Sequence, residues 1–250
     1  MCLLLLALNS VADRPWLLLG NRDEFHDRPT AAAAPWGELP DVFGGRDLQA
    51  GGSWLALRRG GRFAAVTNVR GLGARTALRS RGELVAALVA GAASPGEYAA
   101  AVAARRGEYG PFNLVVGAGA EAWFVTSAGG APRPLARGVH AFSNGSPDDD
   151  WPKMRRLRAR FTAVLERGAP SDEALLQLLA DSEQPPDDEL PHTGVGLELE
   201  RRLAPIFVLG ATYGTRASTL AYQRADGRSI LRERRYGPDA LFLGESTFEA

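Results

Sequence analysis

At 250 residues, with 45% hydrophobic and 23% charged, the chain has a globular composition and the length of one domain, taken as 1–250. Its 29 Lys and Arg balance 29 Asp and Glu, so no net charge draws it to nucleic acid or an anionic membrane. A single cysteine excludes an intrachain disulfide, and no stretch reaches the roughly 20 apolar residues of a membrane span.

Residues 2–8 are a continuous apolar run of strand length. Residues 9–15 are turn-rich, and Trp16 to Leu19 is a second apolar run, so the two predict a buried hairpin. Asn21, Arg22, Asp23 and Glu24 follow at the strand end. The apolar start lacks the basic flank of a signal peptide and stops at Asn9-Ser10, which predicts a cytoplasmic protein.

Residues 28–40 carry Pro, Gly and four consecutive alanines, and predict a loop. Runs 53–57 and 63–69 flank Gly60-Gly61 and predict a second hairpin. Ser80 with Glu83, and Ser94 with Glu97, have capping-box spacing, each predicting a helix start. Pro95 suits a first helical position, and Gly91 and Gly107 suit helix ends. Strands are predicted over 113–116, 122–126 and 139–142, then helices over 151–166 and 172–180. An acidic, Pro-rich loop over 182–191 precedes strands over 205–209, 218–222 and 229–235, with Asp226-Gly227 as a turn. This order reads as α+β. Two stacked sheets with helix pairs outside satisfy it, as do other α+β layouts.

Several chemistries are missing from the sequence. There is no His-Glu-x-x-His, no Cys-x-x-Cys, no Gly-x-Ser-x-Gly elbow and no Walker loop. No metal site is predicted, because His26, His140 and His192 are scattered.

Cys2 stands directly after the initiator. Aminopeptidase removal of Met1 would leave a free α-amine beside the thiol, uniting nucleophile and base in one residue. The amine's reference pKa of about 8 leaves a fair fraction neutral near pH 7. The plainer reading makes Cys2 a small apolar residue that begins a buried strand.

Further blocks accompany it: 20–25 (GNRDEF), 44–47 (GGRD), 51–56 (GGSWLA), 67–70 (TNVR), 112–114 (FNL), 143–144 (SN) with 151–153 (WPK), 193–194 (TG) and 213–219 (YGTRAST). Together, in this order over residues 1 to about 235, they resemble the NRDE family, also called the Transport and Golgi organisation 2 family. That family is similar to the N-terminal-nucleophile hydrolases, which include penicillin V acylases and bile-salt hydrolases. The resemblance implies a four-layer αββα sandwich with two mainly antiparallel sheets.

It also implies a site. Asp23 matches the Asp that holds the α-amine, and would stabilise the ammonium form. Asn68 and Asn144 match the oxyanion-hole positions. Arg216 matches the late arginine that steadies the cysteine. Asn21, Arg22, Glu24, Arg46, Asp47 and Trp54 are expected to order the site or touch substrate. The hydrolases carry Arg three residues before the Asp, where this chain has Gly20, while Arg22 adjoins Asp23. Strand neighbours face opposite ways, so these two are expected on different faces. Set against these favoured roles, the plainer readings make Asp23 and the asparagines turn or cap residues and Arg216 a surface ion-pair residue.

The cluster Lys153, Arg155, Arg156, Arg158 and Arg160 is expected to be a solvated helix face. Arg70, Arg75, Arg79 and Arg81 form a second basic cluster able to meet phosphate or carboxylate. Two functions follow. One is a Cys2-dependent hydrolase or acyltransferase acting on a small-molecule amide or thioester, with no required cofactor. The other is a carrier for heme, acyl-CoA or lipid on the same scaffold, with Cys2, His26, His140 and His192 as the candidate axial ligands.

Overall fold

The structure is a computed structural model, and residues 3–70, 78–146 and 148–249 are described. Leu3–Val11 (β1) and Arg14–Phe25 (β2) form the first hairpin, with Asp13 at φ 58° in its turn. Thr30–Trp36 (β3) and Leu39–Asp47 (β4) pair next. Leu55–Arg58 (β5) and Arg62–Asn68 (β6) form the second hairpin, where Gly60 and Gly61 take φ 89° and 88° as the turn requires. Helices Gly82–Ala90 (α1) and Pro95–Ala104 (α2) follow. Four strands come next: Phe112–Ala118 (β7), Glu121–Thr126 (β8), Arg133–Pro134 (β9) and Gly138–Phe142 (β10). The rest comprises helices Pro152–Glu166 (α3), Asp172–Leu178 (α4) and Leu197–Leu203 (α5), then strands Tyr213–Gln223 (β11), Ser229–Tyr236 (β12) and Phe242–Glu249 (β13).

The strands make a six-stranded sheet, β10-β1-β2-β11-β12-β13, and a seven-stranded sheet, β3-β4-β5-β6-β7-β8-β9. All pairings within both sheets are antiparallel. The apolar run of β1 is continuous because both of its faces are covered. Leu4, Leu6 and Leu8 enter the layer between the sheets with Leu55, Leu57 and Phe63. Leu3, Leu5 and Ala7 pack under α3 and α4, against Leu157, Phe161 and Leu175. On the other sheet, Val66, Leu114 and Val116 pack under α1 and α2. The result is the αββα sandwich. Each fully buried Leu contributes about 1.5–3 kcal/mol from area removed from water.

The helix starts follow their capping residues. Ser94 and Glu97 form the reciprocal box, and Pro95 opens α2. At α1 the box is incomplete: the Glu83 carboxylate accepts the Ser80 N–H, but the Ser80 hydroxyl accepts from Gly82 rather than Glu83, and the helix begins two residues after Ser80. Gly107 lies in a short 3-10 turn rather than capping α2.

Three expectations fail. Residues 28–40 are not a loop but hold β3 and the start of β4. Alanine has weak strand preference, yet β3 is an edge strand tied down by its partners. Ala33 is buried between the sheets, and its N–H donates to Glu233 at 2.8 Å. Pro35 is tolerated at the edge. Residues 205–208 are buried and Leu209 is exposed, and the segment forms no strand, since side chains and single backbone bonds to Asp181 and Thr215 answer its backbone. Asn21 donates to the Ile206 carbonyl, the Val208 N–H donates to Thr215, and the Phe207 N–H donates to the Asp181 carbonyl. Residues 21–24 lie within β2 rather than at its end.

Candidate functional site

Where β2, β6 and β11 leave the sandwich, a cleft of 710 Å³ opens. Its walls include Arg22, Asp23, Asn68, Trp54, Arg81 and Tyr213. Glycines shape one wall. A Cβ on Gly45 would meet the Trp54 ring at 2.2 Å, so this position leaves room for the indole. Gly52, at φ 75°, turns the chain so closely against α1 that a Cβ would lie 2.3 Å from the Gly82 carbonyl. The 44–47 and 51–56 blocks therefore seat Trp54 in the wall.

Asp23 is buried at 5% exposure. Its Oδ1 accepts the Thr215 hydroxyl at 2.6 Å, while the Thr215 oxygen accepts the Val208 N–H at 2.9 Å. The hydroxyl is thus oriented from both sides, and the carboxylate with it. Thr215 lies inside the 213–219 block but was not singled out from the sequence. Its hydroxyl two residues after Tyr213 was the available signal, and only the pairing of Thr215 with Asp23 gives it meaning.

Asn68 ends β6 in the cleft wall. Asn144 stands behind it at 1% exposure. The Asn144 amide nitrogen donates to the Asn68 carbonyl at 3.0 Å and to its Oδ1 at 2.9 Å. Both N–H bonds of Asn144 are thereby spent on Asn68, which turns the Asn68 N–H edge away from Asn144. The Asn144 carbonyl accepts the Arg70 N–H at 2.6 Å, and Arg70 pairs with buried Glu200 at 2.7 Å. Glu200 also receives the Thr193 hydroxyl and N–H. The 193–194 block thus belongs to the brace behind Asn68.

Arg22 is almost wholly buried, with its guanidinium 4.4 Å from the Trp54 ring centroid. Glu24 and Asp47 stand 4.0 and 3.7 Å from it. Burial lowers its pKa, Glu24 opposes that, and nearby Arg216 adds to the fall. Burial works against ionisation of Asp47. The Ala50 N–H and Arg28, whose Nε lies 2.9 Å away, outweigh it and hold the carboxyl below its ordinary range.

Of the residues singled out from the sequence, Arg22, Asp23, Glu24, Asp47, Trp54 and Asn68 meet at the cleft. Arg22 and Asp23 do take different sides, toward Trp54 and Thr215 respectively, yet both reach the cleft because it opens at the sheet end. Asn21 is turned toward the helix layer, where it donates to Leu179 and Ile206 carbonyls and accepts from Ser218. Arg46 pairs with Glu38 and stacks on Trp36, away from the cleft. Arg216 is the extra residue of a bulge between Thr215 and Ala217. Its Nη1 donates to the Phe25 and Arg28 carbonyls and to Thr30. It lines a separate small cavity rather than the cleft. Cys2 lies outside the described residues.

The histidines remain apart. His26 Nε2 meets the Gly210 carbonyl, His140 Nε2 meets the Ala136 carbonyl, and His192 lines a different depression. Among the described residues no cluster of His, Cys, Asp and Glu could hold a metal. No described helix is long and apolar enough to cross a membrane. The arginines of α3 pair with Asp150, Asp181, Glu183 and Glu189, as a solvated face would, but Lys153 departs from that expectation: it is buried and donates to the Leu203 carbonyl.

The two facing sheets flanked by helices are the fold of the N-terminal-nucleophile hydrolases, and solved structures agree. The chain is similar to a Caenorhabditis elegans ortholog of N-acylethanolamine-hydrolyzing acid amidase, with TM-score 0.53 and 15% identity over 88% of this chain and 92% of that one. It is also similar to a mutant conjugated bile acid hydrolase from Clostridium perfringens, with TM-score 0.58 and 9% identity over 100% and 92%. At these identities the likeness concerns the fold alone. Sequence comparison is more specific. The family model for Transport and Golgi organisation 2 matches residues 1–238. The Transport and Golgi organization protein 2 homolog of Bos taurus is 34% identical over 87% of this chain and 85% of its own length. The Homo sapiens homolog is 30% identical over the same shares. The chain belongs to the Transport and Golgi organisation 2 family.

Proposed function

We propose that the chain is a cysteine-dependent acyl hydrolase or acyltransferase, in which Cys2 attacks the carbonyl carbon of an amide or thioester bound in the cleft. The observation that carries this reading is the placing of Leu3. It pairs with Asn21, immediately before Arg22 and Asp23. Leu3 therefore stands at the end of the sheet where Asp23 and Asn68 line the cleft, and the residue before it in sequence, Cys2, is taken as the nucleophile that serves this cleft.

Each residue then has a task. Exposure of Cys2 as the first residue gives an α-amine, which takes the thiol proton. Sulfur bonds to the carbonyl carbon, and the π pair moves onto oxygen. The Asn68 amide donates to that oxyanion, a contact worth about 3 kcal/mol in the transition state. Asp23 holds the ammonium form by charge. On collapse the C=O bond re-forms, the C–N or C–S bond breaks, and the ammonium returns its proton to the leaving group. Water, or an acceptor amine, then attacks the thioester by the same proton relay. Hydrolysis releases a carboxylic acid and restores the thiol. Asn144 moves no proton and acts by orienting Asn68.

The test combines intact mass with an electrophilic β-lactone probe and a panel of acyl amides and acyl thioesters. The mature protein should begin at Cys2, add one acyl group there, and lose both labelling and turnover as Cys2→Ala. Turnover that persists unchanged in Cys2→Ala sinks the mechanism.

A further inference from the structure

A second cavity, of 100 Å³, lies between the sheets. Arg22 and Trp54 line both it and the cleft, so they form a shared wall. Its lining also includes Arg216, Glu233, Arg235 and Leu243. Three guanidinium groups thus converge there from β2, β11 and β12, which are adjacent in the sheet.

Their charge is poorly answered. The carboxylates facing Arg22 stand at 3.7 and 4.0 Å, beyond ordinary hydrogen-bond length. Arg216 spends its Nη1 on neutral oxygens, which offer no opposing charge. Glu233 is the one carboxyl in the lining, and burial pushes its pKa up to about 7. Two guanidinium nitrogens have no hydrogen-bond partner among the described residues. Arg22 Nη1 and Arg235 Nε are both buried and unpaired, and the Arg22 side chain is only 4% exposed. Buried charges require a partner, and an unmet charged donor is more costly than a neutral one.

The last strand completes the enclosure. Gly244 of β13, at φ 133°, has no side chain where the Arg235 guanidinium lies, since a Cβ there would be 2.7 Å from Nη2. Leu243 closes the cavity beside it. These residues fall beyond the portion matched by the family model, which ends at residue 238.

We propose that this cavity is a binding site for a small monovalent inorganic anion, held between Arg22 and Arg235 and distinct from the cleft. The occupant accepts hydrogen bonds and donates none. A cavity of 100 Å³ admits a halide or nitrate but not a bulky organic acid. The bound anion offsets the charge behind Trp54 and fixes the Arg22 guanidinium, and so links the two sheets beneath the cleft.

The test is thermal unfolding of the full chain at pH 6 and constant ionic strength, with chloride, bromide or nitrate replacing gluconate, which is too large to enter. A saturable rise in Tm of about 3 °C or more is expected with the small anions. Arg235→Met should remove that rise. Bromide-soaked crystals of the unaltered protein should show an anomalous peak between Arg22 and Arg235, a readout independent of how the variant folds. Equal Tm in chloride and gluconate, with no bromide peak, would mean that water fills the cavity and would overturn the proposal.

Discussion

The two halves of β2 obey the same alternation and use it for opposite ends. In the first half, Trp16 and Leu18 fill the inter-sheet core while Leu17 and Leu19 fill the helix layer. In the second half the same two faces receive Asn21, Arg22 and Asp23, all buried. Apolar side chains need only fill space, but a buried polar group must be individually answered. Asn21 is answered by backbone carbonyls and Ser218, Asp23 by Thr215, and Arg22 by an aromatic face and distant carboxylates. Burial alone therefore does not mark a site. The site begins where answers come from residues far apart in sequence and open onto a cleft.

The largest expected effect tests the apolar half. Leu18→Ala removes a fully buried side chain from the inter-sheet core, and should cost about 2–5 kcal/mol by denaturant unfolding. If the protein instead loses less than about 1 kcal/mol, the two halves are not packed as differently as this contrast holds.

Next is Glu233, a polar residue set among the inter-sheet positions. Burial raises its pKa from 4.5 to about 7, against the pull of the Ala33 N–H, Arg235 and Arg22. The folded state therefore binds a proton more tightly than the unfolded chain. That stabilisation is full below about pH 4.5 and is lost as pH rises through 7, on the order of 3 kcal/mol in all. Stability of the unaltered protein should fall across this window more steeply than that of Glu233→Gln. Parallel pH profiles would show that Glu233 is charged in the fold.

A smaller effect concerns the brace behind the cleft. Under the proposed mechanism, Asn144→Ala frees Asn68 to rotate and should slow acylation of Cys2 by about 100-fold. Substrate KM should change little, because Asn144 does not line the cleft. Unchanged acylation would mean that the Asn144–Asn68 bonds only hold the loop of Asn144 to the end of β6.

The residues differ in how legible they were, for physical reasons. The hairpins and capped helices follow from local pattern, so β1, β2, β5, β6 and α2 stand close to where periodicity and turn residues put them. β3 was hidden because its alanines draw their strand character from Glu233, 200 residues away. α5 lacks a capping side chain, and its start at Gly196, φ 88°, gives no cap signal. β13 begins with Phe242 and Leu243 exposed, directly after exposed Leu241, so its sequence shows no apolar alternation at the start. In the site, motif position gathered the right neighbourhood but not each direction. The bulge that displaces Arg216 from regular pairing depends on two strands meeting out of step, which neither strand's sequence states.

The finest test separates two residues that the sequence joins. Arg46 and Asp47 are consecutive in one short block, and both were read as ordering the site. On β4 their side chains part. Asp47 turns to Arg28 and the cleft, whereas Arg46 lies over Trp36 and reaches Glu38 near solvent. Arg46→Ala should therefore alter labelling by the β-lactone probe by less than about two-fold, as surface substitutions do. Asp47→Ala removes the acceptor of Arg28 and of two loop N–H groups, and should reduce labelling clearly more. Equal losses in both variants would mean that the block acts as a unit, and that strand alternation does not decide which of its charges serves the cleft.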